Sequence, residues 1–187
     1  MEMNVQQAIA ADREVVWKAL NDPEVLKAAI PGCESLELDG DNRFNARIIA
    51  KVGPVKAKFN FKVELNDLDP PNSYTINGEG QGGAAGFAKG SARVTLQEQD
   101  GGTLLSYQVK ANVGGKLAQL GSRLIDGTAS KLAGEFFDAF IAIVTNAEGA
   151  TSGESAAEAE VPASSVNPWP WIIAAVCVLA LAAFFLI

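Results

Sequence analysis

Histidine is absent from the sequence, and cysteine occurs only twice, at Cys33 and Cys177. Without histidine, the chain lacks the commonest general base, the commonest transition-metal ligand and every serine–histidine or cysteine–histidine nucleophile pair. Two widely separated cysteines indicate neither a disulfide nor a zinc or iron–sulfur site, since such sites need several thiolate or imidazole ligands. We therefore expect a protein of a reducing compartment, with no metal, no cofactor of its own and no catalytic residues of the histidine-dependent kinds.

The chain is also short of positive charge. Its 15 Lys and Arg residues are outnumbered by 22 Asp and Glu residues, and the net charge is −7. Four of the glutamates lie within residues 147–167, and removing these four charges from −7 leaves −3 for residues 1–146. A nucleic-acid-binding surface needs a concentration of cations to neutralise phosphates, so the composition disfavours that class of protein.

Residues 169–187 form a long stretch without charge, WPWIIAAVCVLALAAFFLI. As a helix this stretch would be about 28 Å long, close to the roughly 30 Å hydrocarbon core of a bilayer. Trp169 and Trp171 suit the headgroup region, and Ile187 closes the apolar run. We predict a single C-terminal transmembrane anchor over residues 168–187; the alternative is a buried core helix.

Small, polar and acidic residues fill positions 147–167, which predicts a flexible acidic linker between the anchor and a domain of residues 1–146. The N-terminal residues MEMNVQQAIAADREVVWK contain no apolar segment of the kind found in secretory signal peptides. We therefore expect the protein at the cytoplasmic membrane, with its domain facing the cytoplasm.

Alternating hydrophobicity indicates that residues 1–146 are rich in β-strands. The clearest case is residues 55–65, where Phe59 and Phe61 alternate with Lys58 and Lys62, as in an antiparallel strand with one buried face. The same reasoning predicts six further strands, over residues 2–10, 34–38, 43–52, 74–80, 88–97 and 103–113.

Helical patterns precede and follow these strands. Two short helices are predicted over residues 13–21 and 24–29, and a long one over residues 116–147, where apolar residues recur every four positions. Because this spacing drifts around a straight helix, we expect the long helix to curve or to kink at Gly127. The order of elements predicts an α+β fold, in which a curved antiparallel sheet wraps around the long C-terminal helix and leaves a cavity between them.

The sequence GEGQGG matches the dinucleotide-binding pattern GxGxxG through Gly78, Gly80 and Gly83. That pattern binds pyrophosphate only when a helix follows it, whereas here another alternating strand follows. The pattern therefore disfavours a nucleotide site. We expect these glycines to allow the sheet to bend or to leave space for a ligand or a partner loop.

The order of elements resembles the helix-grip fold of START-type lipid-transfer domains and Bet v 1-like proteins, the SRPBCC superfamily. Three segments are similar to the G subunit of carbon monoxide dehydrogenase: IPGCESL at residues 30–36, KVGPVKA at residues 51–57 and LAQLGSRLI at residues 117–125. The pair Phe136-Phe137 and the apolar C-terminal run also fit this family.

This resemblance implies an accessory protein that is not itself catalytic. Members of the family accompany molybdenum hydroxylases that also carry flavin and iron–sulfur clusters, and they are thought to attach these enzymes to the cytoplasmic membrane. Electrons from the enzyme enter the quinone pool there. The resemblance leaves the substrate of the partner enzyme open.

The helix-grip architecture usually leaves a pocket, so inward-facing side chains are candidates for a ligand cavity, although each could equally be ordinary core. An apolar pocket suits a lipid or an isoprenoid quinone, and a tyrosine hydroxyl could donate to a quinone carbonyl. Phe87 is either a mobile gate or a packing residue. The candidate cavity residues are Phe59, Phe61, Tyr74, Phe87, Tyr107, Val109, Leu120 and Leu124.

Lys56, Lys58 and Lys62 share one face of the strand predicted over residues 55–65. They form a candidate docking surface for an acidic partner or for anionic headgroups, and a solvated face is the alternative.

The leading hypothesis is an anchor for a molybdenum hydroxylase that also holds a quinone and so couples the enzyme to the respiratory chain. The alternative is a membrane-anchored lipid-binding or lipid-transfer domain without a redox partner. An enzyme of the cyclase or hydrolase type is disfavoured, because histidine is absent.

Overall fold

The computed structural model describes residues 1–151, and seven antiparallel strands in this part of the chain form one sheet. The strands are β1 Glu2–Ile9, β2 Cys33–Leu38, β3 Arg43–Val52, β4 Val55–Asp69, β5 Ser73–Gln81, β6 Phe87–Gln99 and β7 Gly102–Gly114. Their order in the sheet is β1-β7-β6-β5-β4-β3-β2, so each of β2 to β7 pairs with a neighbour in sequence, whereas β1 pairs with β7.

Three α-helices accompany the sheet within residues 1–151: α1 Arg13–Leu20, α2 Pro23–Ala29 and α3 Ser122–Thr151. The start of α2 follows from its sequence, because Pro23 occupies the first turn and the side chain of Asp22 accepts hydrogen bonds from the N–H groups of Glu24 and Val25. The predicted α+β fold, a curved antiparallel sheet with a long C-terminal helix, is confirmed.

The long helix begins later than the sequence predicts. Residues 116–121 were expected to be helical, but Ala118–Leu120 form a separate 3₁₀ turn and Gly121 has a φ of 85°. This left-handed conformation is one that glycine adopts readily, and it interrupts the chain before α3 starts at Ser122. The predicted helix is therefore interrupted at Gly121, and α3 is continuous through Gly127.

Strand β4 is four residues longer than the alternation from Val55 to Leu65 predicts, and it ends at Asp69. Its pairing with β5 shifts register between Asn66 and Asp69, and Asp67 has a φ of 50°. An extra residue of this kind changes which face the next side chains occupy, so the simple alternation stops before the strand does.

Two separate hydrophobic clusters hold the fold together. The larger cluster packs α1, α2 and the C-terminal half of α3 against the sheet, and Val16, Leu105 and Phe140 are fully buried in it. The smaller cluster contains Phe59, Leu117 and Ala85, at the end of the molecule where the β3–β4 turn lies.

No helix within residues 1–151 is both long and apolar enough to cross a bilayer. Residues 147–151, which were predicted as the start of the linker, form the end of α3. The rest of the predicted linker and the predicted anchor, with Trp169, Trp171 and Ile187, lie outside the described residues.

Candidate inner cleft

Helix α3 contacts the rest of the domain at its start and again in its second half. At its start, Leu124 packs against the β3–β4 turn, where a Cβ added to Gly53 would lie 2.7 Å from Cδ2 of Leu124. Further along, Phe137 and Phe140 are buried in the larger cluster. Between these contacts, the side chains of Thr128 and Leu132 are only partly buried. The N-terminal half of α3 is therefore less closely packed than the rest.

The inner face of the sheet has the same loosely packed middle. On β4, Phe59 and Leu65 are buried, but Phe61 and Val63 between them are only partly buried. On β7, Leu105 is buried, while the inward-facing residues that follow it, from Tyr107 to Val113, are partly exposed. Partly buried apolar groups on both facing elements indicate a space between the two clusters.

We call this space the inner cleft. Its sheet side is formed by Phe61, Val63, Ile76, Tyr107, Val109 and Val113, and its helix side by Leu120, Leu124, Thr128, Leu132 and Phe136.

Small residues form the floor of the inner cleft. One row of cross-strand partners runs from Val63 on β4 to Gly78, Gly90 and Ala111. In this row β5 and β6 contribute no side chain, and β7 contributes only a methyl group. A Cβ on Gly78 would meet its nearest atom, Cγ2 of Val63, only at 3.9 Å. At Gly80, by contrast, the ring of Phe61 already covers the backbone. The floor is therefore open at Gly78.

Two tyrosines, the buried Tyr74 and the partly buried Tyr107, lie on the same row of the inner face, because both pair with Val94. Tyr74 packs edge-on against Trp17, with ring centroids 5.4 Å apart, and Tyr107 packs edge-on against Phe137 at 6.3 Å. Burial raises the pKa of Tyr74 far above its ordinary value, with a smaller contribution from Tyr107, and burial also raises the pKa of Tyr107. Both side chains therefore stay protonated as hydroxyl donors near neutral pH.

A family model described as the G subunit of carbon monoxide dehydrogenase (CoxG) matches residues 6–144. The chain belongs to the CoxG family. The resemblance identified from three sequence segments is thereby confirmed. The family is named for an accessory subunit, which is consistent with a protein that is not itself an enzyme.

Solved structures show the same fold. A conserved protein from Geobacillus kaustophilus is 32% identical, with a TM-score of 0.74, and the match covers 79% of this chain and 97% of that one. The aromatase/cyclase ZhuI from Streptomyces sp. R1128 is 16% identical, with a TM-score of 0.59 and coverage of 82% and 98%. Ara h 8.0201 is 16% identical, with a TM-score of 0.55 and coverage of 78% and 98%. A search of curated proteins finds no significant match.

Most of the candidate cavity residues of this CoxG-family chain lie around the inner cleft. Phe61, Tyr107, Val109, Leu120 and Leu124 form its walls. Phe59 is buried in the smaller cluster at one end, and Tyr74 is buried in the larger cluster beside Trp17. Several residues that line the inner cleft were not among the candidates predicted from the sequence. For Val63, the alternation that continues from Phe61 was a sufficient signal. The missed residues are Val63, Ile76, Val113, Thr128, Leu132 and Phe136.

Phe87 does not join the other candidates. It pairs with Gln81 and Gly114, whereas its neighbour Ala88 pairs with Val113, which packs into the smaller cluster. Alternation therefore places Phe87 on the outer face of the sheet. Its ring lies over Gly114, and 44% of its surface is exposed.

The three lysines of the candidate docking surface have different surroundings. Lys58 forms an ion pair with Glu34, with 2.7 Å between Nζ and Oε2. Lys62 lies opposite Glu79, whereas Lys56 lies opposite another cation, Lys51. Two of the three positions are thus next to a carboxylate, so β4 does not present a uniform basic row.

The glycine-rich segment continues into a sheet and not into a helix. After Gly82 comes a single 3₁₀ turn, Gly83–Ala85, and then β6. The pyrophosphate-binding arrangement needs a helix N-terminus at this point. The segment consequently lacks the context that a dinucleotide site requires, as its sequence indicated.

The outer face of the sheet carries a polar trough of about 940 Å³. Cross-strand neighbours in its floor alternate in charge, from Lys62 to Glu79 to Lys89. A lining of this kind suits water and surface ion pairs, whereas the inner cleft is lined mainly by apolar groups.

Replacing Tyr74 with Phe is expected to make the domain less sensitive to alkali. Because folding raises the pKa of Tyr74, the unfolded chain loses this proton first, and stability falls as pH rises. The contribution is complete below about pH 10 and declines by about 1.4 kcal/mol per pH unit above it. Urea unfolding at about pH 9, 10 and 11 should show a shallower decline for Tyr74→Phe. If stability declines with pH at the same slope in the unaltered protein and in Tyr74→Phe, the alkali sensitivity does not come from Tyr74. The matched control is Tyr107→Phe, which removes the hydroxyl of the less buried tyrosine.

Proposed function

We propose that this CoxG-family protein recruits a molybdenum hydroxylase of the carbon monoxide dehydrogenase type to the cytoplasmic membrane and holds a quinone in its inner cleft. The observation that carries the proposal is the partly buried apolar face shared by the central strands and the N-terminal half of α3. Such a face, in a domain named for an accessory component of a redox enzyme, points to a lipid-soluble redox partner.

The walls of the inner cleft suit a quinone better than a charged metabolite. The defined wall residues include no Asp, Glu, Lys or Arg, so a charged ligand would lose its hydration without gaining a counter-ion. An isoprenoid chain can instead bury its carbons against Val63, Val109 and Leu132, and the hydroxyl of Tyr107 can donate to a ring carbonyl.

The recruitment part of the proposal combines the family with the predicted anchor. An anchor over residues 168–187 would keep the domain, and any enzyme bound to it, beside the bilayer in which quinones dissolve. Residues 152–167 of the predicted linker follow α3, and a flexible segment of this length would have a root-mean-square reach of about 22 Å, enough for the domain to reorient without leaving the surface.

Organic extraction of the purified full-length protein, followed by mass spectrometry, tests the ligand. We expect a quinone in near-stoichiometric amount when the protein is isolated from a quinone-containing membrane. Phospholipid in place of quinone would support the alternative, a lipid-binding or lipid-transfer domain. If the extract is empty and added quinone does not bind, the quinone part is wrong and only the anchoring part stands.

A further inference from the structure

Four exposed cations lie at the end of the domain where the β3–β4 turn meets the start of α3. Lys51 and Lys56 are direct cross-strand partners at this turn. Lys116 precedes the 3₁₀ turn, and Arg123 belongs to the first turn of α3. We call these four residues the basic tip.

Contacts between the segments bring the basic tip together. The Leu124 side chain lies against Gly53, and the N–H group of Leu117 donates to the carbonyl oxygen of Ala85, 3.0 Å away. Leu117 also shares the smaller hydrophobic cluster with Val52 and Val55, which flank the β3–β4 turn. The four cations are therefore held on one packed end of the fold.

Within residues 1–151, no ion pair involves the basic tip, which is also true of other exposed cations such as Lys18 and Lys89. The segments 51–58 and 114–125 contain no Asp or Glu. Like charges at directly opposed positions, such as Lys51 and Lys56, destabilise a sheet, and a cation in the first turn of a helix opposes the helix dipole. The fold thus tolerates repulsion here that an anionic surface outside the molecule would relieve.

Apolar side chains are exposed among these cations. Leu124 is 40% exposed, Pro54 is exposed, and Val52 and Val55 are partly exposed. Cations interspersed with exposed apolar groups are typical of surfaces that bind the headgroup region of anionic bilayers. The whole chain has a net charge of −7, so only a locally positive end such as this one can be drawn to an anionic surface.

We propose that the basic tip docks on anionic phospholipid headgroups, with Leu124 and Pro54 entering the interface. Leu124 is also the wall residue at this end of the inner cleft, so docking would turn the cleft towards the bilayer. The consequence for ligand entry rests on the proposed function, whereas docking itself depends only on the basic tip.

The test uses residues 1–151 without the predicted anchor. A chain of this extent folds alone, because the Geobacillus kaustophilus protein matches 79% of this chain with 97% of its own length. Co-sedimentation with phosphatidylcholine vesicles is compared with vesicles that also contain phosphatidylglycerol. We expect binding only to the anionic vesicles, and weaker binding at higher salt.

The variant Lys51→Gln/Lys56→Gln/Lys116→Gln/Arg123→Gln should weaken binding to anionic vesicles at least a hundredfold, since each cation contributes roughly fivefold. The matched control Lys18→Gln/Lys89→Gln/Lys110→Gln/Lys131→Gln removes the same charge from other positions and should lose less than about tenfold. Thermal unfolding separates docking from folding: Lys51→Gln should leave the midpoint unchanged or raise it, because it removes a repulsion.

Equal losses in the two variants, or no preference of the unaltered domain for anionic vesicles, would overturn the proposal. Intact binding of the basic-tip variant to anionic vesicles would also overturn the proposal and would leave an acidic protein as the occupant to test. Neither quinone nor the hydroxylase is present in the assay, so its outcome is independent of the proposed function.

Discussion

Ending the chain after Thr151 is expected to remove the partner hydroxylase from the membrane fraction almost completely. This position is the end of α3, so the truncation keeps every described element and removes only the predicted linker and anchor. An apolar helix of about 19 residues inserts with many kcal/mol, whereas surface attraction by a few cations is weak and reversible. We expect at least a tenfold fall in hydroxylase activity recovered with membranes and a matching rise in the soluble fraction.

A single charge provides a sharper version of this experiment. Ala175→Arg places a cation in the middle of the predicted anchor, where its cost is about 3 kcal/mol. The matched control Ala163→Arg places the same charge in the predicted linker, where water surrounds it. Loss of membrane attachment only in Ala175→Arg would support a spanning helix. If the truncated protein still sediments the enzyme with membranes, recruitment by the C-terminal segment is wrong.

Replacing Gly78 with Phe is expected to reduce bound quinone at least tenfold while the domain remains folded. Gly78 lies in the row of small residues on the floor of the inner cleft, and a Cβ there meets nothing closer than 3.9 Å. A benzyl group at this position would occupy the space that a ring or isoprenoid chain needs. Because strands favour aromatic residues over glycine, we expect a stability change within about 1 kcal/mol.

The smaller change Gly78→Ala is the control for this prediction, since a methyl group leaves most of the cleft open. Gly80→Ala provides the opposite contrast, because its Cβ would run into the ring of Phe61 and should lower the unfolding temperature. The measurements are the quinone content of purified protein and the thermal unfolding midpoint. Full quinone content in folded Gly78→Phe would show that the ligand does not occupy the inner cleft.

Much of the architecture could be predicted because the signals that specify it are local. Residues 43–52 were predicted as a strand, with the same bounds as β3, because turn residues mark both of its ends. The start of α2 could likewise be identified from Asp22 and Pro23. The start of α3 could not be identified in this way. Leu120 and Leu124 keep the four-residue apolar spacing of a helix, but Gly121 between them has a φ of 85°, which interrupts the helix.

The candidate site could be predicted only in part, for a related reason. Alternation along a strand assigns each side chain to a face, and this was sufficient to select Phe61, Tyr107 and Val109. It does not say whether a face is filled by neighbouring elements. Tyr74 proved to be packed against Trp17, whereas Val109, on the same face of the sheet, is left partly exposed.

By itself, the sequence determined the class of fold and the family, and it excluded histidine chemistry, because these follow from periodicity, short motifs and composition. Only the tertiary structure decided which residues meet. Strand register places Lys56 opposite Lys51 and Lys58 near Glu34, and it places Phe87 on the outer face. Register and packing join residues that are far apart in sequence, so the lysine row that alternation groups together is divided: Lys58 forms an ion pair, Lys62 lies opposite Glu79, and Lys56 belongs to the basic tip.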